Sequence, residues 1–124
     1  MNNKKIGTEF EQEICKMLKE QGWWVHFIEP KPDGSQPFDI IAVRQGRAVA
    51  IDCKTCASEA FNISRLEDNQ IFAFERWIAC GNDMPKVIIK HNDDIYIVPY
   101  DYIKEKTTIK LKEIPWAKWG VLPV

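Results

Sequence analysis

The chain has no apolar run long enough to cross a bilayer: stretches such as Ile40 to Val43 end after a few residues, where a spanning helix needs about 20. No charged-then-apolar leader opens it, so a cytoplasmic protein without a membrane partner is expected. Cysteine is scarce. Cys15, Cys53, Cys56 and Cys80 make up the whole complement of 4, and without a secretory signal they are expected as thiols rather than disulfides. Cys53-Lys54-Thr55-Cys56 has the spacing of a zinc knuckle or redox pair. A second such pair is missing, and Cys15, Cys80, His26 and His91 are scattered singles, so zinc is not expected.

A large charge of either sign is missing too. The formal charge of -1 argues mildly against a nucleic-acid partner, because phosphate binding usually leaves a basic footprint. Distribution matters more than the total. Lys4 and Lys5 sit at the start, and Lys104, Lys106, Lys110, Lys112 and Lys118 crowd the last fifth, while many acids lie elsewhere. Repeats and low-complexity stretches are absent. What is present is an ordinary globular composition: 124 residues suit one domain over 1–124, and 45% hydrophobic residues suffice for a compact core.

Thr8 to Gln21 reads as a helix, with Phe10, Ile14, Met17 and Leu18 at helical spacing and Gly22 to stop it. Thr8-Glu9-Phe10-Glu11 has the form of a capping box. Trp23 to Ile28 reads as a strand, and the three prolines and Pro-Asp-Gly of Glu29 to Pro37 as a loop. Phe38–Val43 and Ala48–Cys53 read as a hairpin about Gln45-Gly46. Ser64 to Cys80 reads as a second helix, apolar on most of its surface. Lys86–Ile89 and Ile95–Val98 form another hairpin, followed by a short helix at Tyr100–Lys106. The order implies an α/β architecture, a mixed sheet of about five strands flanked by helices.

Residues two apart on a strand share a face, so Asp52 and Lys54 point one way while Ile51 and Cys53 point to a packed core. Asp39 stands at the mouth of the apolar strand Ile40-Ile41-Ala42-Val43, where an unpaired carboxylate destabilises. Two strand carboxylates and a lysine joined by a short hairpin suit magnesium, which takes one or two carboxylates, keeps waters and binds substrate phosphates. Such a centre suits phosphodiester hydrolysis. The spacing alone is weak evidence, since an acid two residues before a lysine arises about once by chance in a chain of average composition. Glu29-Pro30-Lys31 is such a coincidence, in a loop with no strand to fix it. Asp52 and Lys54 could equally form a surface ion pair on a solvated strand face.

The order of these segments resembles the PD-(D/E)XK nuclease superfamily and, within it, the Holliday junction resolvases, both archaeal Hjc and bacterial recombination protein U. Gly7-Thr8-Glu9-Phe10-Glu11-Gln12-Glu13-Ile14 resembles the opening helix, Pro37-Phe38-Asp39-Ile40-Ile41-Ala42 the first catalytic strand, and Ala50-Ile51-Asp52-Cys53-Lys54 the second. Phe61-Asn62-Ile63 through Asn69-Gln70 resembles the segment of recombination protein U that leads into a glutamine-bearing helix, and Tyr96-Ile97-Val98-Pro99 its closing strand. The resemblance implies a restriction-endonuclease-like fold and a structure-specific DNA endonuclease, a junction resolvase of phage or bacterial type. It implies magnesium or manganese held by Glu11, Asp39, Asp52 and the Cys53 backbone carbonyl, a catalytic Lys54, and Gln70 beside the site. A nicking or restriction-type nuclease, or a non-catalytic relative that binds branched DNA, are the alternatives.

The chain departs from the pattern in three places. Asp52 stands where many relatives have glutamate, only Met1 to Lys5 precede the first motif, and Glu29–Pro37 is compact where recombination protein U has a protruding stalk. Glu11, beside Cys15 and Leu18 at the edge of the apolar helix face, is placed to reach a cleft, although the capping box is a competing account of it. Phe72, Phe74 and Trp77 are expected as core or dimer contacts. A second helix apolar all round implies a homodimer, which would offer two active sites to the two strands of a symmetric, four-way DNA. The basic, tryptophan-bearing tail is expected to be a solvated charged face.

Overall fold

The computed structural model describes residues 3–120, with side chains from residue 6 onward, so the Lys4 and Lys5 side chains lie outside the described part. In chain order the elements are α1 (Asn3–Glu20), β1 (Trp24–Phe27), β2 (Ile40–Arg44), β3 (Arg47–Thr55) and β4 (Ala60–Asn62). There follow α2 (Asp68–Ala79), β5 (Lys86–His91), β6 (Asp94–Pro99), α3 (Tyr100–Ile103) and β7 (Thr108–Lys110). Five strands form one sheet in the order β1-β2-β3-β5-β6. Only the β3–β5 pairing is parallel, because the chain leaves β3, crosses through α2 and returns beside it. The short β4 and β7 pair separately.

Two helices depart from expectation. α1 begins at Asn3, five residues ahead of Thr8, because Ile6 extends the apolar stripe of Phe10, Ile14 and Leu18 back by a turn. Thr8 is therefore inside the helix and the expected Thr8–Glu11 capping box does not form. α2 starts at Asp68 rather than Ser64, since Ile63–Arg65 is spent on a 3-10 turn. It is α2 that carries a capping box, between Glu67 and Gln70. The β2–β3 hairpin closes as expected at Gln45 and Gly46, both with positive φ (52° and 77°), the two-residue turn that suits strand twist.

Strand alternation divides the core into two layers. Ile51 and Cys53, with Ile40, Ala42 and Ile88, pack under Phe10, Ile14 and Leu18 of α1. Ala50, with Val87, Ile89 and Val98, packs under Phe74 of α2. Cys53 thus belongs to one layer and Cys56 to the other, so their sequence spacing does not make them a pair; all four cysteines are thiols. Asp52 and Lys54 share the parity of Ala50 and face the α2 side. No helix among the described residues is long and apolar enough to cross a membrane.

Candidate active site

β2 and β3 register Ile40 against Ile51, which sets Asp39 opposite Asp52 at the mouth of the hairpin, with Asp39 N–H donating to Ile51 O at 3.0 Å. Asp39 Oδ2 accepts the backbone N–H of Cys53 at 2.7 Å. Asp52 is completely buried, and its Oδ1 accepts from Gln70 Nε2 at 2.8 Å. Lys54 Nζ stands 3.0 Å from Asp52 Oδ2 and donates to Gln70 Oε1 at 3.3 Å. The Gln70 amide is oriented by a third contact, because its Oε1 also accepts Glu67 N–H at 3.0 Å, the reciprocal half of the capping box. That bond leaves Nε2 free to face Asp52.

Glu11 joins the cluster from α1. Glu11 and Asp52 both lie within electrostatic reach of the Asp39 carboxyl and of Lys54. Burial, followed by repulsion from Asp39, lifts the Glu11 carboxyl from its ordinary 4.5 to about 7, against the opposing pull of Lys54. Asp52 is pushed well above the ordinary carboxyl range by the same two causes in the same order. Burial also pushes the Cys53 thiol up, as expected of a thiol enclosed beside three acids. One lysine faces three carboxyls. Two of their oxygens, Glu11 Oε2 and Asp52 Oδ2, are buried without a hydrogen bond, and Lys54 serves the latter only as an ion-pair contact.

The sequence-derived set therefore comes together: Glu11, Asp39, Asp52, Lys54 and Gln70 meet at one end of the β2–β3 hairpin, with Cys53 between Asp52 and Lys54. With the capping box at Thr8 gone, the competing account of Glu11 goes too. The donor chemistry fits a divalent hard cation, since all the offered side-chain atoms are carboxylate oxygens and the cluster carries excess negative charge. Among the described residues no three acidic, histidine or cysteine side chains are already arranged as an ion cage. Sequence reasoning missed the Cys53 N–H that holds Asp39, and a backbone group leaves no residue-type signal. It also missed the Glu67–Gln70 capping box, whose spacing was readable but whose glutamate cap falls outside the usual Ser, Thr, Asp or Asn.

The lysine-rich tail is organised differently. Lys104, Lys112 and Lys118 face Glu75, Glu59 and Asp94 at 3.8, 3.4 and 3.2 Å, and Lys106 lies over the Tyr102 ring, 3.8 Å from its centroid. These lysines are occupied on an exposed face.

A mixed sheet flanked by helices, with two opposed carboxyls and a lysine on its central hairpin and a helix glutamate beside them, is the architecture of the PD-(D/E)XK nucleases. The family model of the archaeal Holliday junction resolvases (Hjc) matches residues 2–114, and the chain belongs to that family. Crossover junction endodeoxyribonuclease Hjc of Methanocaldococcus jannaschii is 30% identical over 95 residues, which cover 76% of this chain and 66% of that protein. The Archaeoglobus fulgidus Hjc structure, a Holliday junction resolvase, superposes with a TM-score of 0.69 at 18% identity over 88% of this chain and 87% of its own. The bacterial homing endonuclease I-Ssp6803I shares the fold at 15% identity, with a TM-score of 0.56 over 88% of this chain and 75% of its own. The matched resolvases are archaeal and lend no support to a bacterial or phage origin.

Proposed function

We propose that the protein is a divalent-metal-dependent endonuclease that hydrolyses phosphodiester bonds of four-way DNA junctions. The observation that carries this reading is the buried Asp52, 3.0 Å from Lys54 and opposite Asp39 across the hairpin, with carboxylate oxygens left unsatisfied. One lysine set against three carboxyls in a water-poor site, with Glu11 Oε2 and Asp52 Oδ2 lacking hydrogen bonds, favours a divalent cation that would bridge the acids. Glu11, Asp39, Asp52 and the Cys53 backbone carbonyl are the oxygen donors that would hold magnesium or manganese. Bound there, the ion supplies Lewis-acid polarisation of a phosphate and an acidified water.

The chain's own groups supply the rest. Lys54 is placed to orient the attacking water or to offset charge growing on the phosphoryl oxygens, because its ammonium is already fixed between Asp52 and Gln70. Gln70 keeps that ammonium from collapsing onto Asp52 alone, since it bonds both partners. Asp39, held by Cys53 N–H, stays pointed into the cluster.

Cutting two strands of a junction calls for two sites, and the outer side of α2 offers a surface for a second copy of the chain. Phe72 is 67% exposed there and lines, with Pro37, Ala73 and Trp77, a groove of about 770 Å³ that continues past Arg76 and Cys80. Phe74, by contrast, is core. The decisive experiment incubates the protein with labelled four-way junction, linear duplex and flap DNA, in magnesium or manganese or with chelator, beside a measurement of mass in solution. Paired symmetric nicks in the junction, abolished by chelator, and a dimer mass are expected. Cleavage of plain duplex would reassign the protein to a nicking or restriction-type nuclease, and binding without cleavage to a scaffold for branched DNA.

A further inference from the structure

Asn69 is the neighbour of Gln70 on the first turn of α2, and its side chain serves a different segment. Its Nδ2 donates to Gly34 O at 3.3 Å and to Gln36 O at 2.9 Å, in the loop between β1 and β2. The loop's other hydrogen bonds are local: Lys31 N–H to Gln36 Oε1 at 3.1 Å, Gly34 N–H to Lys31 O at 2.9 Å and Ser35 N–H to Asp33 Oδ1 at 3.0 Å. These bonds shape the loop but do not fix where it lies. Among the described residues, Asn69 makes the long-range hydrogen bonds of the Glu29–Pro37 segment.

The base of this loop is the catalytic cluster itself. Ile28 N–H donates to Asp39 O at 2.8 Å, closing the loop at the residue that opposes Asp52. A sugar-phosphate chain laid across Asp39 and Asp52 therefore runs beside the loop, which carries the exposed Lys31. Two successive residues of one helix turn thus hold two neighbouring segments: Gln70 sets Asp52 and Lys54, and Asn69 sets the loop that leads into Asp39.

We propose that Asn69 is a positioning residue that clamps the Glu29–Pro37 loop so that it guides the DNA backbone onto the acid cluster, an inference that rests on the nuclease reading above. The clamp acts through the loop, without touching the reacting atoms. Its loss weakens substrate capture and leaves the chemical step intact once DNA is seated.

The test uses the full chain with Asn69→Asp and, as a second variant, Asn69→Ala. The first keeps size and helix position while removing both N–H donors and turning a carboxylate toward two carbonyl oxygens. Loss of two hydrogen bonds of ordinary strength predicts amide exchange over residues 33–36 faster by about tenfold or more in the metal-free protein, with exchange in β3 unchanged. On labelled four-way junction, KM is expected to rise about tenfold while kcat stays within about twofold. Unchanged loop exchange in both variants would overturn the clamp. Faster exchange with unaltered KM would overturn the guiding role, and a fall in kcat at constant KM would move Asn69 to the acids by way of Gln70. A wild-type protein that cut no DNA would remove the nuclease reading and the guide with it, while the exchange data would still decide the clamp.

Discussion

The β2–β3 hairpin and the C-terminal tail both pair lysines with carboxylates at similar distances, yet they embody opposite physics. Lys54 meets Asp52 at 3.0 Å with side chains 17% and 0% exposed, whereas Lys112 meets Glu59 at 3.4 Å with both side chains more than half exposed. In the tail water screens each charge, and Lys104, Lys106, Lys112 and Lys118 each have a partner, so the pairs contribute little. At the hairpin water is excluded and three carboxyls compete for one lysine, so two carboxyls hold their protons far above the ordinary range. The lysine-rich segment is thus the electrostatically quiet one, and the perturbed carboxyls gather where a single lysine is outnumbered.

The largest expected effects test this contrast at its buried end. Asp52→Asn and Lys54→Ala should each lower junction cleavage by about 10²–10³-fold or more in kcat, as removal of a preorganised charge does elsewhere. They should part in stability. Asp52→Asn removes a buried carboxyl that is costly to ionise and keeps a partner for Gln70, so the metal-free melting temperature should hold or rise. Lys54→Ala strands Asp52 among the acids, so it should fall. Matched drops in both melts would mean that the acids are ordinary structural partners of the lysine.

Glu11 gives the pH form of the comparison. Its carboxyl titrates near 7 when folded and near 4.5 when unfolded, so between those values the folded chain holds a proton that the unfolded chain has lost. Stability of the metal-free protein should therefore fall as pH rises from about 4.5 to 7, and Asp52 adds to the same trend. Glu11→Gln should flatten this slope and stabilise the metal-free protein above pH 7 by about 1–2 kcal/mol, the group being half-buried and partly screened. Magnesium competes with the same proton, so its affinity in calorimetry should climb with pH toward 7 and weaken in the variant. A pH-independent affinity would place Glu11 outside the metal site.

These sites were legible to different depths, for physical reasons. Strand alternation fixes which side chains share a face, so the opposition of Asp52 and Lys54 to Ile51 and Cys53 followed from the residues themselves. The hairpin was readable because Gln45-Gly46 meets the positive-φ demand of a two-residue turn. Glu11 was ambiguous because a cap and a ligand use the same residue at the same spacing. The start of α1 at Asn3 removes the cap reading. The clamp by Cys53 N–H on Asp39 and the hold of Asn69 on Gly34 and Gln36 were hidden, since both depend on main-chain atoms whose placement is tertiary.

Gln70 is the intermediate case. Gln70→Ala removes bonds to both Asp52 and Lys54 and half of the α2 capping box, which predicts about 1–2 kcal/mol of destabilisation and roughly tenfold slower cleavage. Gln70→Glu restores the cap but adds a fourth carboxyl to the cluster. It should regain the stability lost at the helix end while leaving cleavage impaired, with magnesium affinity altered.

The smallest effect belongs to the tail. Lys112→Ala removes one exposed ion pair with Glu59, and Lys118→Ala one with Asp94, the latter pair 49% and 46% exposed at 3.2 Å. Each should change stability by no more than about 0.5 kcal/mol and leave cleavage at low salt within about twofold. The salt dependence of junction binding decides the matter more sharply than the rate. A lysine that contacts phosphate lowers the slope of log affinity against log salt by about 1 when removed, whereas one held by its own carboxylate does not. An unchanged slope in the Lys112→Ala, Lys118→Ala double variant is expected. A slope reduced by about 2 would show that DNA displaces Glu59 and Asp94, making the tail part of the substrate surface.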